Sequence, residues 1–265
     1  MSVQQNGREA QLRQPRLAEI VADAMRQRIL SGSLQDGGTL PNQETLLAEF
    51  RVSKPSLREA LRILETEGLI TVQRGNVGGA VVHLPQAQHA AYTLGLVLQS
   101  KHVTIDDVGR ALKHLEAECA GLCAAREDRA TTVVPELRAL NQQAKDVIDD
   151  ELAFVRSMAD FHEAMVNGCG NQTMLLVAGA IESLWLAHVR SWAQRVSDSG
   201  DFPDPKYRAN GLKAHERLTG LIERGDVSGA VRFARDHVDP EQFYEAPEDP
   251  DQLVTASALR QALPL

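Results

Sequence analysis

Three features of the sequence predict a mainly α-helical protein made of two domains. Helical periodicity dominates the 265-residue chain, strand-like runs occur only near residues 69–84, and beyond Pro85 the pattern is helical throughout. With 43% apolar residues the chain can fill two modest cores. The expected organisation is a flexible tail at 1–15, a first domain at 16–84, a linker and connecting helix at 85–103, an all-helical domain at 104–240 and a C-terminal tail at 241–265.

The first domain opens with two predicted helices. An apolar stripe with helical spacing runs from Leu17 to Ile29, and Gly32 ends the segment. After a glycine turn, Asn42 is a good N-cap for a shorter helix that continues to Phe50. Only two residues connect this helix to the next capping residue, so the turn between the two helices is tight.

A third helix follows that turn. Ser53 can cap it, and it continues to Glu67 with one apolar stripe directed at the core. That stripe leaves Ser56, Arg58 and Arg62 available on the outer surface. The third helix therefore offers a polar, basic face near its N-terminus.

A hairpin completes the domain. The β-prone runs 69–73 and 80–84 are joined by a glycine-rich tip at 74–79. A short helix, a tight turn, a basic helix and a glycine-tipped hairpin follow each other in the order of a winged helix-turn-helix. In that fold the second helix of the motif enters the major groove, and the wing reaches the neighbouring backbone or minor groove. The sequence therefore predicts binding to double-stranded DNA.

The charge distribution agrees with this prediction, although the chain as a whole is acidic. Its net charge is −8. Residues 1–84 contain ten Lys and Arg against nine Asp and Glu, whereas the remainder contains 18 against 27. Within residues 51–62, Arg51, Lys54, Arg58 and Arg62 are opposed only by Glu59. A local basic cluster of this kind can dock on phosphates despite a negative total.

The sequence favours a cytoplasmic protein with no membrane partner. The polar N-terminus shows no secretory signal, and three cysteines form no disulfide framework. The longest apolar stretch, 173–189, is interrupted by charged and polar residues and is shorter than a bilayer span. We therefore interpret it as a core helix and the cysteines as buried thiols.

The second domain is predicted to contain only helices. Apolar residues recur with helical spacing between Gln86 and Val238. The expected helices cover residues 86–99, 104–126, 133–149, 151–167, 172–196, 206–224 and 227–238.

Three histidines lie on the apolar faces of three of these helices. His162 lies between Met158 and Met165, and His215 and His237 continue the apolar stripes of the last two helices. All three should point inward, either as packed core residues or as one shared interior site. Converging neutral imidazoles can bind Zn²⁺ or a similar divalent ion and leave a position open for a ligand.

His188 is a fourth candidate. It shares a helical face with Trp185 and Trp192, so it can be a core histidine, an effector contact or a further metal ligand. No inward carboxylate is evident near these histidines to serve as a general base, which disfavours an enzyme.

The first domain also resembles a known family. Residues 40–62 are LPNQETLLAEFRVSKPSLREALR, followed by EGLI at 67–70, and this segment resembles the motif of the GntR family of bacterial regulators. The resemblance implies a set of DNA-contacting residues in the third helix and the wing, namely Ser53, Lys54, Ser56, Arg58, Arg74 and Gly75. Where the family usually has an arginine in the second helix, this chain has Glu44, which cannot bind phosphate but could contact DNA by accepting a hydrogen bond from a cytosine amino group. The family's common operator sequence is therefore not carried over.

The second domain resembles the FadR-like (FCD) branch of that family, an all-helical, bundle-type ligand-binding domain. The resemblance rests on Phe161-His162, Asn171, His215 and His237 in their sequence contexts. In metal-binding members an aspartate one turn before the first histidine completes the site, and Met158 occupies that position here. The family's ligand-binding arginine is replaced by Leu112. The effector-binding residues expected from spacing and resemblance are Met158, His162, His188, His215 and His237, and the expected metal ligands are His162, His215 and His237.

Together these features predict a non-enzymatic transcription regulator, more specifically a repressor, that binds a palindromic operator as a homodimer. A small metabolite, an organic acid or acyl derivative, would bind in the helical domain and lower the affinity for DNA. The metabolite need only prefer the state that does not bind DNA by about 1 to 3 kcal/mol to change the occupancy of the operator. The cofactor is a divalent metal or none. The alternatives are a metal-dependent enzyme with a DNA-anchoring domain and an effector-free architectural DNA-binding protein.

Overall fold

The structure, a computed structural model, describes residues 16–73, 79–85, 87–202, 204–237 and 251–257, without the side chains of 87–89 and 237. The chain divides into two compact units between Gln86 and Ala87. The predicted fold class is confirmed, because the first unit has the elements of a winged helix-turn-helix and the second consists of helices throughout its described elements.

The first unit packs three helices on a small hairpin. Its elements are α1 (Leu17–Leu30), α2 (Gln43–Phe50), α3 (Lys54–Thr66), β1 (Ile70–Val72) and β2 (Ala80–Val82). The strands pair antiparallel, with Thr71 opposite Val81. Met25 and Ile29 of α1 and Leu57 and Leu64 of α3 are fully buried in one core. Burying each such side chain stabilises the fold by about 1.5–3 kcal/mol, so the apolar stripe of α3 fixes which face remains exposed.

Two side-chain caps set the turn between α2 and α3. The Asn42 side chain accepts a hydrogen bond from the Thr45 backbone N–H at 2.9 Å, and Ser53 Oγ accepts from the Ser56 N–H at 3.4 Å. Arg51 ends α2 in the left-handed conformation at φ 51°. The N-caps predicted at both positions are confirmed, and together these residues define where α3 begins.

The second unit is built from eight helices in its described part. They are α4 (Ala87–Ser100), α5 (Ile105–Ala125), α6 (Arg129–Thr132), α7 (Val134–Asp146), α8 (Glu151–Gly168), α9 (Gln172–Ser199), α10 (Pro205–Glu223) and α11 (Val227–His237). The helix expected over 133–149 ends earlier, at Asp146. A turn follows, closed by the Asp150 N–H donating to the Val147 carbonyl at 3.0 Å, and Asp150 then caps α8.

Helix α5 runs through the main core of this unit and packs against α8, α9, α10 and α11. Cys119 and Cys123 of α5 and Cys169 after α8 are free and buried, as expected for packed thiols. Burial raises the pKa of the Cys123 thiol to about 12. The Cys123 thiol therefore stays protonated, and the three buried cysteines act as apolar packing groups.

Part of the expected C-terminal tail is anchored to the second unit. The Val254 N–H donates to the Val103 carbonyl at 2.9 Å, and the Ile105 N–H donates to the Gln252 carbonyl at 2.8 Å. Val254 is buried in a cluster with residues of α4, α5 and α9. Residues 251–257 are therefore an ordered part of the domain.

Helix α9 is both a core element and a source of exposed apolar surface. It has 28 residues and, by length and composition alone, is long and apolar enough to cross a membrane. Of its most apolar 18-residue stretch, 33% is buried inside the unit. Ala180, Leu184 and Ala187 pack in a cluster with residues of α4 and α5. Leu176 and Val177 are about half exposed, at 51% and 49%.

Candidate DNA interface and effector site

The start of α3 presents three of the predicted DNA contacts to solvent. Ser53, Lys54 and Arg58 are exposed. Ser56 is partly buried, and its Oγ lies 3.0 Å from Ser53 Oγ. Because Leu57 points into the core, Lys54 and Arg58 project from the outer face of the helix.

The basic residues of the first unit differ in whether they have a counterion. On α1, Arg26 bonds Glu67 at 2.7 Å and Arg28 pairs with Glu49. Lys54 and Arg58 form no ion pair with any residue in the described part of the chain. Two cations at the start of α3 are therefore available for phosphate or base edges.

The remaining predicted DNA contacts fall in two places. Glu44 is exposed in the first turn of α2, where its negative charge interacts favourably with the positive end of the helix dipole. Arg74 and Gly75 lie outside the described residues. The assignment of all these residues to DNA contact stays a prediction.

In the helical unit the structure brings two of the predicted histidines together. Nε2 of His162 on α8 lies 3.1 Å from Nε2 of His215 on α10. His215 is 1% exposed, and its ring stacks on Phe161 with centroids 4.0 Å apart and planes 11° apart. The two imidazole planes are nearly perpendicular, at 78°. Both histidines point inward, as their spacing predicted.

A buried carboxylate that was not predicted from the sequence lies against this pair. Oε2 of Glu116 on α5, which is 2% exposed, lies 2.9 Å from Nδ1 of His162. Burial lowers the pKa of His162, but the charge and hydrogen bond of Glu116 raise it by more, so the net shift is upward. The expectation of no inward carboxylate is therefore wrong. Helical spacing could have predicted that Glu116 points inward, since it lies four residues after buried Leu112 and three before buried Cys119.

A second buried carboxyl group lies on α9. Glu182 is 3% exposed, and its Oε1 has no hydrogen-bond partner among the described residues. Burial, followed by the charges of Glu116 and Glu163, raises the pKa of Glu182 to about 9. Glu182 is therefore protonated at neutral pH and can donate a hydrogen bond inside the domain.

The other predicted site residues are placed differently. Met158 is 6% exposed and packs with Phe154 and Leu212. His188 lies beside Trp185, with ring centroids 5.9 Å apart, and burial followed by the charge of Arg195 lowers its pKa. The backbone of His237 ends α11, and its side chain is outside the described part.

The arrangement has a clear chemical consequence. Glu116 holds the Nδ1 side of His162, so Nε2 of the same ring is directed at His215. A carboxylate on the far nitrogen orients imidazoles that bind metals or ligands. Within the described ranges, no group of three His, Cys, Asp or Glu residues is placed to hold a metal ion.

Comparison with known families covers both units. Residues 17–81 match the bacterial regulatory proteins of the gntR family, and residues 107–240 match the FCD domain. The two matched segments contain both the α3 surface and the Glu116–His162–His215 group.

Individual relatives agree with these families. The HTH-type transcriptional repressor NanR of Edwardsiella tarda is 26% identical over 237 residues, covering 88% of this chain and 86% of that protein. NanR of Klebsiella aerogenes is 29% identical over 187 residues, covering 69% and 70%. The solved structure of a Streptococcus agalactiae GntR protein shares the fold, with a TM-score of 0.60 and 19% identity over 83% of this chain and 96% of that one. These families and relatives are transcription regulators and not enzymes. The chain therefore belongs to the GntR family of bacterial regulatory proteins and carries a C-terminal FCD domain.

Proposed function

We propose that this regulator is a repressor that grips its operator through α3 and the β1–β2 wing and releases it when a small organic effector binds in the helical unit. We place the DNA-binding surface on α3 because its exposed Lys54 and Arg58 have no ion pair among the described residues. The arginines of α1, in contrast, are paired with acidic residues. Negative control is supported by the similar proteins from E. tarda and K. aerogenes, both of which are named transcriptional repressors. A DNA-binding regulator of this kind is expected in the cytoplasm.

The proposed effector site is the interior group formed by Glu116, His162, His215 and Glu182. These polar side chains come from α5, α8, α10 and α9, so a ligand bound among them would contact four helices at once. Buried polar groups are costly unless they are hydrogen-bonded, and a ligand could satisfy the Oε1 atom of Glu182. An effector that prefers the non-binding state by about 1 to 3 kcal/mol would change operator occupancy usefully. The proposed class of effector is an organic acid or acyl derivative.

A divalent metal is a further candidate for this site. The facing Nε2 atoms of His162 and His215, with Glu116 behind His162, fit the orientation that metal-bound imidazoles need. His237 would supply a third nitrogen. When bound, such an ion supplies a Lewis-acidic centre for an effector oxygen.

We infer that the protein acts as a homodimer and that a second copy covers the exposed apolar face of α9. Leu176 and Val177 are about half exposed, and residues 172–181 contain no charged side chain. Near a two-fold axis each residue meets its own copy, so an uncharged surface avoids like-charge repulsion. Leu176→Glu should therefore convert dimers to monomers in sedimentation analysis, whereas Val227→Glu on α11, 40% exposed in the parent, should not. Dimers of unchanged affinity in Leu176→Glu would exclude this face.

The proposed function is tested by mapping the genomic DNA that the protein occupies. We expect a short palindromic site, and metabolites of the neighbouring genes should weaken its binding in a direct titration. Occupancy without sequence preference would instead support an architectural role. A specific site whose affinity no such metabolite changes would contradict effector control.

A further inference from the structure

Arg208 is a buried cation on α10 that forms no ion pair with any described residue. It is 9% exposed and is the only Lys or Arg that is buried among the described residues. Burying a charge without a counterion is costly, and buried arginines are normally paired. The charge of Arg208 therefore needs an explanation.

Other arginines of the same unit show the usual pattern. Arg126 bonds Asp128 at 2.7 Å and Arg138 bonds Glu223 at 2.8 Å, with side chains that are 29% and 62% exposed. These partly or well-exposed cations have counterions although water already solvates them. Arg208 is more buried than either and forms no ion pair within the described part of the chain.

The guanidinium of Arg208 is only partly engaged. Its Nη1 donates to the Ile148 carbonyl in the turn between α7 and α8, and its Cζ lies 5.6 Å from the centre of the Phe202 ring. Its Nε is buried and has no hydrogen-bond partner among the described residues. Because a guanidinium presents its donors in a planar fork, the edge formed by Nε and Nη2 remains suited to a carboxylate.

Two nearby acidic residues cap helices. Asp204, four residues before Arg208, accepts from the Lys206 N–H at 2.8 Å as the cap of α10. Asp150, two residues after Ile148, accepts from the Ala153 N–H at 2.9 Å as the cap of α8. Both carboxylates stabilise helix N-termini, and neither forms an ion pair with Arg208.

The position of Arg208 connects it to the proposed effector site. Arg208, Leu212 and His215 lie on one buried face of α10, and seven residues of helix span about 10 Å. Leu212 packs with Met158 and Phe154 of α8, and His215 contacts His162 of the same helix. An effector that contacted both Arg208 and the histidine pair would therefore have to displace the packed Leu212 side chain.

We propose that Arg208 binds a carboxylate group of the effector through its Nε–Nη2 edge. This inference rests on the proposed effector control and adds the chemical class of one ligand group: a planar anion recognised by two parallel hydrogen bonds. Lysine would supply the charge but not the fork, so the site should prefer arginine.

The test measures thermal unfolding of the full chain with sodium acetate, lactate, succinate and citrate, each against sodium chloride of equal ionic strength. At least one carboxylate should raise the melting temperature of the parent saturably, whereas the matching neutral amide should not. Arg208→Gln should weaken the apparent affinity for that carboxylate about 10- to 100-fold, which corresponds to the loss of a charge-assisted contact. The apparent affinity of Arg208→Lys for that carboxylate should lie between those of the parent and Arg208→Gln. The affinity of Arg138→Gln should equal that of the parent.

The outcomes separate Arg208 from the proposed function. Circular dichroism and an operator titration without ligand should show that Arg208→Gln keeps the parent's helicity and DNA affinity. If no carboxylate stabilises the parent, or if parent and Arg208→Gln respond alike, the role of Arg208 is overturned while DNA binding stands. A parent without any operator preference would instead contradict the proposed function itself.

Discussion

Oε2 of Glu116 lies 2.9 Å from Nδ1 of His162, and this contact joins α5 to α8 in the interior of the helical unit. A buried carboxylate–imidazole contact of this kind is costly to break, because the remaining polar group is left without compensation. It also fixes the direction in which His162 presents Nε2 to His215.

Replacing Glu116 by Leu should lower the free energy of unfolding by about 3–5 kcal/mol, since His162 would lose its buried partner. Glu116→Gln keeps a hydrogen-bonding group and should lower the free energy of unfolding by less. Denaturant unfolding followed by circular dichroism measures both. Glu118→Gln is the matched control, because Glu118 is 59% exposed in its contact with Arg235, and it should change stability by less than about 1 kcal/mol. Equal effects at the two positions would contradict the importance of the Glu116–His162 contact.

Metal retention should depend on the residue at position 158. The parent should contain less than or about one zinc ion per chain after mild chelation, because three imidazoles bind zinc without the extra carboxylate. Met158→Asp should retain more zinc than the parent, and His215→Ala should release it. Elemental analysis of protein purified with added zinc provides the measurement. A metal-free parent together with a metal-free Met158→Asp variant would identify the histidines as packing or effector-contact residues.

Stability should depend on pH through Glu182. Its pKa in the folded protein is raised from 4.5 to about 9, so between these values the folded state keeps a proton that the unfolded state releases. The stability contributed by this protonated group is complete below pH 4.5 and declines as the pH rises towards 9. Glu182→Gln does not titrate, so it should gain about 1–3 kcal/mol over the parent between pH 5 and pH 9. Urea unfolding across this range gives the difference in free energy of unfolding between Glu182→Gln and the parent. A difference that does not change with pH would show that Glu182 does not titrate in this range.

Arg58→Ala should weaken specific operator binding by about 1 to 3 kcal/mol at fixed salt. Arg58 projects from the exposed face of α3 and has no ion pair among the described residues, so its loss should leave the fold intact. Titration on the mapped operator measures the effect. Arg138→Ala in the helical unit is the control and should bind like the parent. Equal affinities for Arg58→Ala and the parent would remove Arg58 from the DNA contacts.

Local features of this protein were determined by the sequence. Asn42 and Ser53 predicted the caps of α2 and α3, and the apolar stripe of α3 predicted which face Arg58 would occupy. Helical spacing also predicted that His162 and His215 point inward. These features follow from interactions within a few residues, since caps and periodicity depend only on the nearby chain.

Only the tertiary structure decided which buried faces meet. Glu116 lies 46 positions before His162 in the sequence, and Arg208 donates to a carbonyl 60 positions away. Periodicity shows that a helix face is buried, but it does not show which other helix covers that face. Charged residues are also rarely buried, so sequence reasoning places Glu116, Glu182 and Arg208 at the surface by default. Their burial depends on contacts among α5, α7, α8, α9 and α10, which exist only once the helices have packed.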